Sequence, residues 1–292
     1  MTGILMDVKR MAVHDGPGLR TTLFLKGCPL RCVWCHNPEG QSRALQIAWF
    51  AEKCIGCDAC VHICPQHGAR DMSDREKCNA CGACASVCPV GARKQYGREV
   101  SVDEAMQIAL EDRPFYGSKG GVTLSGGEPL MQAEFALELL RRIKEEGVTT
   151  ALDTCGHVPW SAFEKSLPVC DTYLFDLKHM DSTLHQQGTG QGNELILSNL
   201  EKLSAAGARI QVRIPLIPRF NDSQEHMAQV GAFLKRIRPE CVKLLSYHQM
   251  ARMKYAGLGL EDTLPPGAED LAVRLEHATA ILQQFGLNAY HD

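Results

Sequence analysis

No apolar run in these 292 residues reaches the roughly 18 that a membrane-spanning helix needs, which argues against a membrane protein. No charge of one sign dominates. The 31 Lys and Arg stand against 34 Asp and Glu for a net charge of −3, and the absence of a basic stripe argues against nucleic acid as a partner. Charges also interrupt the stretch Met1 to Arg10, where a signal peptide would carry its apolar core, so the expected compartment is the cytoplasm. Thiols there are kept reduced and a chain of this length needs no staples, so a disulfide framework is not expected either.

What the chain does have is cysteine, 14 in all. Eleven of them fall between Cys28 and Cys88 in three tightly spaced groups, and metal binding is the reading that such grouping supports. Cys155, Cys170 and Cys241 stand apart and read as small buried hydrophobes. The segment 49–96 is dense in Cys, Gly and Ala and contains two copies of one pattern, so it reads as a module inserted between 1–48 and 97–292. Outside it, strands at Leu19 to Lys26, Val122 to Leu124, Thr149 to Asp153, Thr172 to Asp176, Arg209 to Ile214 and Val242 to Leu245 alternate with helical patterns. Four of these helices are expected at Met131 to Glu146, Asn193 to Ala206, Ser223 to Ile237 and about Gly267 to Phe285, and Ser101 with Glu104 supplies a capping box for another.

Six such units predict an α/β fold with parallel strands and right-handed crossovers, a partial (β/α)6 barrel with a ferredoxin-like insertion. Chemistry in barrels gathers where the strands end. The groups following these six strands are the Cys28 cluster, Ser125 to Glu128, Asp153 with Thr154, Asp176 with Lys178, Arg213, and Tyr247 with His248, all suited to a charged ligand on one face.

Cys28-x3-Cys32-x2-Cys35 offers three thiolates on one loop, enough to hold three irons of a [4Fe–4S] cube and leave the fourth open. Zinc with His36 as fourth ligand is the competing reading. Cys54-x2-Cys57-x2-Cys60-x3-Cys64-Pro65 and Cys78-x2-Cys81-x2-Cys84-x3-Cys88-Pro89 each match the bacterial ferredoxin run, with zinc knuckles as the alternative. The fourth cysteine crosses over in two-cluster ferredoxins, so Cys54, Cys57, Cys60 and Cys88 are assigned to one cube and Cys78, Cys81, Cys84 and Cys64 to the other.

The triad resembles the signature of radical S-adenosylmethionine (SAM) enzymes. The likeness extends to His14-Asp15-Gly16-Pro17-Gly18-Leu19-Arg20-Thr21, Phe24-Leu25-Lys26-Gly27-Cys28, Cys35-His36-Asn37-Pro38-Glu39, Ser125-Gly126-Gly127-Glu128-Pro129, Asp153-Thr154-Cys155-Gly156, Asp176-Leu177-Lys178, Arg213-Ile214-Pro215 and Tyr247-His248. On these residues the chain is similar to the glycyl-radical enzyme activating enzymes, and the Asp-Gly-Pro-Gly segment separates it from other radical SAM enzymes. That resemblance implies an oxidoreductase in which SAM chelates the open iron. SAM is then cleaved to methionine and a 5′-deoxyadenosyl radical, which takes hydrogen from a glycine of a partner protein.

The same resemblance implies residue roles. Trp34 would lie beside the adenine; Gly126, Gly127 and Glu128 would meet the methionine amino group; and Asp153, Asp176, Lys178 and His248 would contact SAM. Asp153, Thr154 and Asp176 would ligate a monovalent cation, and Asp15, His36 and Arg213 would face the partner's glycine loop. The ferredoxin runs resemble the subset that activates glycyl-radical dehydratases, decarboxylases and lyases. This implies three [4Fe–4S] clusters, a flavodoxin or ferredoxin donor and a monomeric chain. Cys155 stands where asparagine is frequent in the pyruvate formate-lyase activator. The rival functions are a radical SAM enzyme acting on a small molecule or another peptide, and a ferredoxin-type electron carrier.

Overall fold

The computed structural model describes residues 1–291. Its strands are β1 (Thr2–Ala12), β2 (Arg20–Leu25), β3 (Gln46–Trp49), β4 (Arg93–Tyr96), β5 (Arg98–Ser101), β6 (Gly121–Gly126), β7 (Thr149–Thr154), β8 (Thr172–Asp176), β9 (Ile210–Leu216), β10 (Cys241–Ser246) and β11 (Ala289–His291). Nine of them form one sheet in the order β11-β10-β9-β8-β7-β6-β2-β1-β5, while β3 and β4 make a separate hairpin. From β2 to β11 all neighbours are parallel; β1 is antiparallel to both β2 and β5. The sheet is open, with β5 and β11 as its edges.

The parallel strands form because their sequences are apolar on both faces, as crossover helices demand. Tyr173, Leu174 and Phe175 of β8 are all buried. β9 differs in a way that matters for the site. Ile210, Val212, Ile214 and Leu216 are buried while Gln211, Arg213 and Pro215 between them are only half-buried, so one face packs on the core and the other looks into a cavity. The helix Ala133–Glu145 buries Phe135, Ala136, Leu139, Leu140 and Ile143, a stripe at helical spacing. The capping box of Ser101 and Glu104 is present at the start of the helix Val102–Leu110.

All six expected parallel strands appear. The helix expected from Met131 begins instead at Ala133 after a 3-10 turn Pro129–Gln132, since proline suits a first turn and not a helix interior. The last helix starts at Leu271 and not at Gly267. A seventh parallel strand, β11, is three residues long and gave no periodic signal. The antiparallel pair β1 and β5 was also unforeseen, because β1 alternates with Asp7, Lys9 and Arg10 on exposed positions.

The segment 49–96 leaves and re-enters the chain through the hairpin β3–β4. Its two cysteine runs repeat in backbone as well as in sequence. Gly56, Asp58 and His67 of the first run have positive φ, and so do Ala80, Gly82 and Gly91 at the same offsets in the second. The hairpin packs through Ala48, Phe50 and Tyr96 against Leu258, and Arg75 donates to the carbonyls of Ile47 (3.1 Å) and Gly257 (2.8 Å).

Candidate active site

The C-terminal ends of β2 and β6 to β10 surround a cavity of about 580 Å³. Among its lining residues are Cys28, Cys32, Trp34, Cys35, His36, Gly126, Gly127, Asp153, Thr154, Asp176, Lys178, Arg213 and His248, with Lys9 and Asp15 alongside. Every strand end singled out in the sequence thus contributes to one wall.

The cysteine loop is fixed by its backbone. Arg31 N donates to Thr189 O (2.7 Å), Val33 N to Gly188 O (2.9 Å) and Cys28 N to Gln41 O (3.1 Å). Lys254 secures the exit of the loop by donating to His36 O (3.1 Å), Asn37 Oδ1 (2.9 Å) and Glu39 Oε1 (2.6 Å), and Tyr255 donates its hydroxyl to Cys35 O (3.1 Å). Burial pushes the Cys32 thiol up to about 12, so it requires a strong positive charge beside it to ionise. All three thiols border the cavity, and a cube, which gives each thiolate its own iron, would take them as its donors.

Gly126 and Gly127 bring two chain segments into contact. A Cβ on Gly127 would sit 2.2 Å from Gly27 O and 2.6 Å from Gly40 O, atoms that flank the cysteine loop on both sides. Glu128, expected to meet the methionine amino group, has its side chain engaged within the protein. It is 0% exposed, and its carboxylate accepts from Thr154 Oγ1 and Cys155 N, each at 2.8 Å, and from Leu130 N at 3.1 Å. Glu128 therefore stands behind the wall and positions Thr154 and Cys155.

The same cavity holds a compact charge network. Arg213 bonds to Asp153 through Nη2 and to Asp176 through Nε at 3.2 Å. Lys178 donates to the second oxygen of Asp176 at 2.8 Å, and Ser125 Oγ donates to Asp153 at 2.6 Å. Burial pushes the Asp176 carboxyl up, but Lys178 and Arg213 outweigh it and hold it below the usual range. Arg213, expected to face the partner's glycine loop, is 13% exposed and lines the cavity, held there by the two aspartates. Of the residues expected to ligate a monovalent cation, Asp153 and Asp176 both bond to Arg213, and Thr154 donates its hydroxyl to Glu128 at 2.8 Å.

Trp34 is buried at 4.7 Å from the Phe220 ring and packs with Ile217 and Tyr247. His36, also expected to face the partner's glycine loop, is stacked on His248 at 4.0 Å and on Tyr247 at 5.9 Å. Burial pushes His36 down to about 4, so the ring is uncharged at neutral pH. Asp15 is held by Thr22 Oγ1 (2.9 Å) and Lys9 (3.4 Å). Cys155, Cys170 and Cys241 are all buried as expected, and Cys155 also lines the cavity. A lone cysteine after a strand gave no sign of that.

In the segment 49–96 Cys54, Cys57, Cys60 and Cys88 line one small cavity. The thiols that act electrostatically on Cys84 are those of Cys78, Cys60 and Cys64, drawn from both assigned sets.

The family model of the radical SAM superfamily matches residues 22–230. The trans-4-hydroxy-L-proline dehydratase activating enzyme of Clostridioides difficile is 42% identical, covering 87% of each chain. The (2S)-3-sulfopropanediol dehydratase activating enzyme of Klebsiella oxytoca is 41% identical over 88% of this chain and 86% of its own. Among solved structures, a domain of a pyruvate-formate lyase-activating enzyme from Bacteroides vulgatus is 32% identical with a TM-score of 0.50, covering 59% of this chain and 99% of that one.

Proposed function

The chain belongs to the radical SAM superfamily and, within it, to the glycyl-radical enzyme activating enzymes, and from that premise we propose that Cys28, Cys32 and Cys35 hold its SAM-binding [4Fe–4S] cluster and that its partner is a glycyl-radical dehydratase or lyase. The observation that supports this assignment is the placing of three thiols in one cavity with Asp153, Asp176, Lys178 and Arg213. When bound, the cluster and SAM supply one-electron cleavage of the sulfonium C–S bond, releasing methionine and leaving deoxyadenosyl to take a hydrogen atom from the partner's glycine Cα.

The residues of this chain bind and orient. Trp34 offers an apolar face for the adenine, and the bare backbone at Gly126 and Gly127 admits close approach by the amino acid portion. Lys178 is a compact charge suited to a carboxylate, which would compete with Asp176 for it. Asp153, with Arg213, sets the polarity of the wall, and His248 stacked on His36 gives a flat edge. Hydrogen-atom transfer between carbons needs proximity more than acid or base, which accords with a wall of binding groups. Asp15, His36 and Arg213, which all line the cavity, are the candidates for contact with the partner's glycine loop.

The segment 49–96 would hold two further cubes, on Cys54, Cys57, Cys60 and Cys88 and on Cys64, Cys78, Cys81 and Cys84, taking electrons from a flavodoxin or ferredoxin in the cytoplasm. No described helix is long and apolar enough to cross a membrane. Mixed anaerobically with SAM, a low-potential reductant and a glycyl-radical dehydratase, the protein should generate a carbon-centred paramagnetic signal on the dehydratase. Deoxyadenosine formed only when a small metabolite is added would favour the rival enzyme.

A further inference from the structure

The cavity bordered by Cys54, Cys57, Cys60 and Cys88 is also lined by Trp49 and Arg93. Arg93 is 5% exposed. Its Nη2 donates to the carbonyls of Ala69 (3.1 Å) and Arg70 (2.6 Å) and lies 3.8 Å from Cys60 Sγ. Its Nε and Nη1 have no partner, and neither has Trp49 Nε1. Guanidinium cannot shed its proton in a protein, and a buried charge without a counter-ion is strongly disfavoured. Three unmet N–H donors and one unmet positive charge around four thiols therefore call for an anionic, sulfur-rich occupant. A cube on four thiolates has that character, and it gains a further negative charge on reduction.

The two halves of the module are not equivalent in this respect. Arg93 follows Cys88 by five residues, and the residue five after Cys64 is Ala69; Trp49 precedes Cys54 by five, and the residue five before Cys78 is Ser73. The second cysteine set thus lacks both donors at the matching positions. We propose that Arg93 and Trp49 raise the reduction potential of the cube on Cys54, Cys57, Cys60 and Cys88 above that of its neighbour, making it the resting place of an electron that enters the module. A positive charge and N–H donors favour the more negative, reduced cube, which is the physical basis of the shift. The inference rests on the reading that the module holds two cubes.

The test uses full-length protein in which Cys28, Cys32 and Cys35 are alanine, so that only the module's clusters contribute to the spectrum. That parent should carry about eight irons per chain. In redox titrations followed by electron paramagnetic resonance, Arg93→Met should lower one midpoint by about 59 mV or more, a tenfold change in a one-electron equilibrium. The other midpoint should move less, and Arg93→Lys should restore most of the loss. Trp49→Phe, which keeps the packing, should shift the same midpoint in the same direction by a smaller amount. Unmoved midpoints in Arg93→Met at full iron content would overturn the proposal and leave the two-cube reading intact. Negligible iron in the parent would overturn that reading itself. Should Arg93→Met load only half its iron, Trp49→Phe decides, and an unshifted midpoint there refutes the donor role.

Discussion

Replacing Cys32 with alanine is expected to reduce SAM cleavage to background while leaving the fold in place. Three thiolates leave one iron of a cube open; two leave the cube without the anchoring it needs. The thiol contributes little else. Its loop is fixed by the backbone bonds of Arg31 and Val33, and its packing neighbours Trp34, Ile217 and Tyr247 lose only one sulfur atom. The melting temperature should therefore change little, iron should fall by about four per chain, and 5′-deoxyadenosine should be undetectable after anaerobic reduction. Cleavage at the wild-type level would show that the cluster is held elsewhere.

Gly127→Ala should be nearly as damaging, through geometry alone. The added methyl would stand 2.2 Å from Gly27 O and 2.6 Å from Gly40 O, and both contacts are backbone that cannot swing aside. Gly27 itself donates to Gly40 O at 2.8 Å, and Glu128 N donates to Gly27 O at 2.7 Å, so the displaced atoms are those that tie the two ends of the cysteine loop together. Overpacking of this kind costs on the order of 3 kcal/mol. The expected result is a lowered melting temperature together with loss of the SAM-cluster iron, the module's iron being retained. A variant with full iron content and normal SAM cleavage would show that the loop can relax around a side chain.

The contrast between these residues and others shows what could be read in advance. Cysteine spacing is local and chemically exclusive, so the three cysteine groups stood out before any fold was known. The strand ends were legible because parallel strands place their C-terminal residues on one side of the sheet. Side-chain partners were not. Arg213 and His36 were expected to face the partner's glycine loop, and only the fold reveals that two aspartates hold the first and that Tyr247 and His248 stack on the second. Glu128 sits beside two glycines of a ligand loop, but only the fold reveals that Thr154 and Cys155, 26 and 27 residues on, need its carboxylate. Lys254 lies 215 residues from Glu39, and no periodicity links them. The donors Trp49 and Arg93 were equally hidden, since what distinguishes them is the absence of partners.

Transfer of a labelled hydrogen tests the central claim most directly. A glycyl-radical dehydratase deuterated at its glycine Cα, incubated anaerobically with this protein, reductant and unlabelled SAM, should yield one deuterium in 5′-deoxyadenosine for each radical formed on the partner. Deoxyadenosine that gains no deuterium from the partner, but acquires it from a labelled small molecule, would contradict the account.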